Sequence, residues 1–134
     1  FRVDEPQISP DGKWLAYVSP ESERPEVYLE PFGQDGDRIR VSLNGGGQPK
    51  WRGDSRELFF VTREGSLMAV AIGGDASRAQ VGLPEELFAI DRIEGPGYDD
   101  YAVSADGERF LVKTAADQAE PQLRIVTNWT GLLD

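Results

Sequence analysis

The chain has 134 residues, of which 39% are hydrophobic and 28% charged, a composition suited to a folded core and not to a disordered segment. Its formal net charge of −10, from 14 basic and 24 acidic residues, repels phosphate backbones and anionic lipid, so neither nucleic acid nor a membrane surface is an expected partner. Cys and His are both absent, which removes disulfides, thiolate nucleophiles, the commonest transition-metal ligands and any Ser-His-Asp triad.

The first predicted unit opens with Asp4 and Glu5 ahead of a short strand ending at Ile8. Ser9-Pro10-Asp11-Gly12-Lys13 then reads as a tight turn: Pro10 presets φ, Asp11 can accept from nearby backbone, and Gly12 tolerates φ > 0. Trp14 to Val18 completes the hairpin, and strands over Glu26 to Phe32 and Arg38 to Ser42 follow, joined by a loop with Gly33, Asp35 and Gly36. The second unit repeats the plan with Pro49-Lys50-Trp51, a turn at Arg52-Gly53-Asp54-Ser55, then Glu57 to Val61, Ser66 to Ile72 and Glu86 to Ile90. Its turn has Ser55 where the first has Gly12, so a different turn type is expected there. A long loop is expected from Gly73 to Pro84, and another segment of loop at Glu94-Gly95-Pro96-Gly97. The third unit has Asp99 and Asp100, then Tyr101 to Val103, a turn at Asp106-Gly107, a strand ending at Val112, and a strand over Gln122 to Thr127 before Asn128-Trp129-Thr130. No convincing helix is seen; Ala115 to Glu120 is short and Pro121 follows it.

Four short antiparallel strands per unit is the make-up of a propeller blade. The 43-residue step from Asp11 to Asp54 falls within the roughly 40–45-residue spacing of such blades, and the 52-residue step from Asp54 to Asp106 is lengthened by the loops just named. The predicted fold is therefore all-β, a β-propeller segment of three four-stranded antiparallel blades at about 1–46, 47–92 and 93–134. Trp14, Ala16, Val18, Leu58, Phe60, Phe110 and Val112 are expected between blades, where bulky filling is needed. Asp11, Gly12, Asp54, Asp106 and Gly107 are the structural turn residues.

Several short matches invite chemistry and are better read as structure. Gly45-Gly46-Gly47 lacks the Lys-Ser/Thr and the helix of a phosphate loop and reads as a turn between blades. Arg52-Gly53-Asp54 spells an adhesion tripeptide, and Gly53-Asp54-Ser55 resembles part of an esterase nucleophile motif that here has no His for a base. Ser9-Pro10-Asp11-Gly12-Lys13-Trp14 resembles the Asp-box of sialidase propellers, but that box separates its Asp from its Gly. Asp4, Glu5, Asp99 and Asp100 precede innermost strands, so they are candidate channel carboxylates for Ca²⁺ or a cationic ligand. Asn128-Trp129-Thr130 matches a glycosylation sequon, with Trp129 better read as a plug at the closing edge of the ring. No catalytic residue and no cofactor is assigned.

The ordered series Ser9-Pro10-Asp11-Gly12-Lys13, Leu15-Ala16-Tyr17-Val18-Ser19, Glu26-Val27-Tyr28-Leu29-Glu30-Pro31-Phe32 and Gly45 to Trp51 resembles the TolB-like, WD-repeat-like propeller repeat. With Glu57 to Phe60, Leu67 to Val70, Asp106 to Val112 and Asn128-Trp129-Thr130 added, it resembles the C-terminal propeller half of bacterial receptor-type serine/threonine protein kinases. Similar segments end some winged-helix regulators and other multidomain bacterial proteins. The kinase resemblance implies a non-catalytic sensor or a protein- or ligand-binding module, held outside the cytoplasm in the periplasm, in a parent that carries the kinase. None of the kinase motifs stands in this chain. The alternative is the propeller of a prolyl-oligopeptidase-like peptidase or of a glycan hydrolase. Phe1 in place of a start methionine points to a piece of a longer chain. Three blades leave two open faces, which further blades in the parent or a homodimer would close.

Overall fold

The computed structural model of the protein describes residues 3–75, 78–90, 100–115 and 121–127. Among these there is no helix, and three antiparallel sheets follow one another along the chain. The first sheet has four strands in chain order, β1 (Asp4–Ile8), β2 (Trp14–Ser22), β3 (Arg24–Pro31) and β4 (Ile39–Arg40). The second is built from β5 (Gly47–Trp51), β6 (Glu57–Val61), β7 (Ser66–Asp75), β8 (Arg78–Val81) and β9 (Glu85–Ala89). The third orders β10 (Tyr101–Val103), β11 (Arg109–Ala115) and β12 (Pro121–Thr127).

Two of these sheets depart from the expected four strands. The expected Gly73–Pro84 loop is in large part a hairpin: β7 runs on to Asp75, turns, and β8 pairs back with Ile72 opposite Val81 and Asp75 opposite Arg78. β9 then pairs the first half of β7, with Leu67 opposite Phe88, so the outer edge of the second sheet is laid down in two pieces. Gly74, at φ 88°, sits within this extension, where the backbone of Arg78 comes too close for a side chain. In the third sheet three strands lie within the described residues, and Asn128-Trp129-Thr130 lies outside them.

Alternation along the strands builds two cores between sheets, as period-two side-chain direction requires. Trp14, Ala16, Val18, Val27 and Leu29 of the first sheet meet Leu58, Phe60, Val70 and Ile72 of the second, with Ala79 and Val81 of the β8 hairpin packed alongside. The opposite face of the second sheet carries Phe59, Val61, Leu67 and Ala69 against Tyr101, Phe110 and Val112 of the third. Phe110 is the hub there, edge-on to Phe59 at 5.2 Å and to Phe88 at 5.6 Å between ring centroids. The second sheet therefore gives one face to its predecessor and the other to its successor.

Candidate functional site

The residues singled out by the repeats gather at two rims of the joints between sheets. At one rim lie the three turns, and they share one geometry. The third turn residue donates its N–H back to the first: Gly12 to Ser9 O at 2.8 Å, Ser55 to Arg52 O at 2.9 Å, Gly107 to Ser104 O at 2.9 Å. The turn aspartate accepts the N–H two residues on, from Lys13 at 3.0 Å, Arg56 at 2.9 Å and Glu108 at 2.9 Å. The expectation of a different second turn is corrected here: Ser55 takes φ 64° beside 77° at Gly12 and 73° at Gly107. A serine holds the left-handed backbone because its Oγ accepts the Asp11 N–H of the preceding turn at 2.9 Å, which offsets the strain.

Every turn aspartate is held below the usual carboxylate range. For Asp54 the leading cause is the Arg52 guanidinium, then the Arg56 N–H. For Asp106 it is the Ser104 hydroxyl, then the Glu108 N–H. At Asp11 burial pushes upward, and the Ser9 hydroxyl with the Lys13 N–H and charge outweighs it. Arg52 bridges Asp54 at 2.9 Å and Glu57 at 2.7 Å, so the ends of the Arg-Gly-Asp tripeptide are tied to each other. Its middle residue donates to Ala105 O of the next turn at 2.8 Å, and the same carbonyl would lie 2.8 Å from an added Cβ, an approach that requires glycine. The tripeptide is a joint between sheets.

At the other rim lie the starts of the innermost strands. Glu5 and Gln48 each precede a proline, and each has a left-handed backbone, φ 51° and 54°, at the bulge where β1 and β5 shift register. The side chain of each rim residue accepts the N–H of its counterpart one sheet on. Gln48 N donates to Glu5 Oε2 at 3.2 Å, and Asp100 N donates to Gln48 Oε1 at 2.7 Å. Gln48 Nε2 returns a bond to Asp100 Oδ2 at 2.7 Å, and Tyr101 OH donates to Gln48 O at 2.7 Å.

This arrangement places the sequence-predicted channel acids. Asp100 is only 1% exposed and is the far end of a clasp with Gln48. Glu5 is exposed and begins the same chain of bonds, Asp4 is half-buried in β1, and Asp99 lies outside the described residues. Among the described residues no three acidic groups converge on a point where a metal ion would sit. Sequence reasoning missed Gln48, the centre of the rim; the Glu5-Pro6 and Gln48-Pro49 pairs, 43 residues apart, were the available signal.

Glu26 was also passed over. It is 1% exposed, with Oε1 accepting from Ser42 Oγ at 2.6 Å and Gly45 N at 2.7 Å, and Arg24 Nε lies 3.3 Å from Oε2. The Ser42 hydroxyl in turn accepts from Val27 N at 2.8 Å. A buried carboxylate with this many donors fixes the passage of the chain from the first sheet to the second.

No family model and no curated protein sequence matches the chain. Solved structures do resemble it. The TolB of Acinetobacter baumannii superposes with a TM-score of 0.59 at 20% identity, over 92% of this chain and 29% of that one. An oligogalacturonate lyase from Vibrio parahaemolyticus gives 0.55 at 20% identity, over 79% of this chain and 27% of the lyase. A TolB-type protein from Agrobacterium tumefaciens gives 0.54 at 18% identity, over 90% and 44%. The chain thus spans less than half the length of each of these three structures. At such identities the likeness speaks to the fold, and the fold is a TolB-like β-propeller.

Proposed function

We propose that the chain is a non-catalytic binding module, the propeller part of a bacterial signalling protein, held outside the cytoplasm and attached to a serine/threonine protein kinase. The observation that carries this reading is the use made of its polar side chains. Asp11, Asp54, Asp106, Gln48, Asp100 and Glu26, the residues that recur or are buried, are all engaged in holding turns and sheets together. A propeller built this way offers a shaped surface and not a reaction centre. The TolB-like fold supports a binding role, and the ordered repeat residues support the kinase parent. Reading the coding sequence upstream of Phe1 tests it: a kinase followed by a membrane helix is expected, and an adjoining α/β-hydrolase would replace the sensor with a peptidase.

A second reading rests on the lyase likeness. There the chain would be part of a propeller acting on acidic oligosaccharide. Incubation with oligogalacturonate and ultraviolet detection of an unsaturated product checks this. Product formation by the purified chain, abolished by a single carboxylate substitution, would establish the lyase reading and end the non-catalytic one.

A further inference from the structure

The first and third sheets each have one face that meets no other sheet among the described residues, and the repeat says which positions these are. Ala16 and Leu29 face the second sheet, and Phe59 and Ala69 face the third. Leu111 and Ile125, cross-strand partners in β11 and β12, stand at the same positions of the third sheet, 38% and 67% exposed. Leu58 and Val70 are the positions by which the second sheet receives the first, and their counterparts in the first sheet are Leu15 and Glu30. Ile8, paired with Leu15 and half exposed, extends that row. Each end of the arc therefore repeats one half of a joint already present within it.

Charge selects the occupant. In the first joint Trp14 shares a core with Val70, an apolar pair. The position of Trp14 in the third sheet is Arg109, which is exposed, and the position of Val70 in the first sheet is Glu30. Stacking the third sheet on the first by the same geometry sets Arg109 against Glu30, with Leu111 and Ile125 over Ile8 and Leu15. We propose that the outward face of the third sheet is a joint for the first sheet of a second copy of this chain, so that two copies close a six-sheet ring about a two-fold axis. Six sheets fall inside the range of about 4–8 in which propellers close. Two such joints per dimer close on themselves and do not propagate. Nothing in this pairing depends on the functional reading above.

The test is sedimentation equilibrium of the 134-residue chain at micromolar concentration, with folding of each variant checked by circular dichroism. A discrete dimer is expected. Arg109→Glu, at an exposed position, should weaken it about tenfold or more, and Arg109→Glu combined with Glu30→Arg should restore it. Ile125→Glu, on the same face and away from the charge pair, should give a folded monomer. A wild-type monomer, indefinite aggregation, or a dimer indifferent to both Arg109→Glu and Ile125→Glu would each overturn the proposal.

Discussion

The two internal joints solve one problem with different materials. Between the first and second sheets the apolar contribution is broad: Trp14, Leu29, Leu58 and Phe60 are all buried there, and the β8 hairpin packs against the same core. The polar link at its inner rim is a single bond of 3.2 Å from Gln48 to Glu5. Between the second and third sheets the core centres on Phe110, and the inner rim is a two-way clasp with both bonds at 2.7 Å. The lesson is that a repeat keeps the positions that touch, while the share carried by apolar area and by hydrogen bonds shifts from one joint to the next.

The largest effect expected is at the second joint's core. Phe110→Ala should cost about 3–5 kcal/mol in urea unfolding, since the ring is fully buried and holds both Phe59 and Phe88. A loss under about 1 kcal/mol would mean that the third sheet contributes little to the cooperative unit. Gln48→Leu should cost about 1–3 kcal/mol, because it strips two hydrogen bonds from the buried Asp100 and keeps the side-chain volume. If it proves neutral, the clasp decides register and not stability, and the contrast between joints reduces to core composition.

The turns sharpen the comparison further. Gly12→Val should cost about 1–2 kcal/mol by backbone strain alone, since a Cβ there meets nothing within 4 Å. Ser55→Gly removes the same strain from the second turn and also deletes the acceptor for Asp11 N, so a net change within about 0.5 kcal/mol is expected. A large loss in Ser55→Gly would show the hydroxyl to be the main tie between the first two turns.

Acid supplies the mildest perturbation. Asp11, Asp54 and Asp106 all have folded values below the ordinary 3.8, so the stability they contribute is present above that pH and is lost as pH falls through the depressed values. Melting temperature followed from about pH 5 downward should therefore fall mainly below about pH 4. At the alkaline end, burial and then the Glu30 hydrogen bond, partly opposed by Arg38, push the Tyr17 phenol up to about 12. Its contribution is present below the ordinary 10.0 and is lost as pH rises toward that value, so one tyrosine should ionise late in an ultraviolet titration.

Much of this architecture is legible in the chain itself. Asp-Gly pairs between alternating apolar runs announce the hairpins, and the residues expected between sheets, Trp14, Leu58, Phe60 and Phe110 among them, are in the two cores. The TolB-like resemblance read from those runs agrees with the fold of the solved relatives. The rest depended on contacts between units. Ser55 resembles no turn glycine in composition, and what holds it left-handed is an Asp11 N–H from 44 residues away. Asp100 looks like half of an acidic pair in sequence and becomes a clasp residue only when Gln48 is brought to it from 52 residues away. The β8 hairpin hides in a Gly- and polar-rich stretch, because an outer edge strand needs few apolar residues to be held.

The bonds from side chain to backbone along the inner rim run one way: the side chain of a rim residue accepts, and the backbone of its counterpart one sheet later donates. A stretch of about one repeat cut anywhere between two such residues carries one acceptor for the next sheet and one donor for the sheet before it. Copying that stretch in tandem inserts a complete, correctly oriented link at both of its borders, and deleting it leaves the flanking halves able to find each other. The rim thus gives the gene a unit that can be duplicated or lost without the invention of a new contact, which is how a ring of one size can become a ring of another.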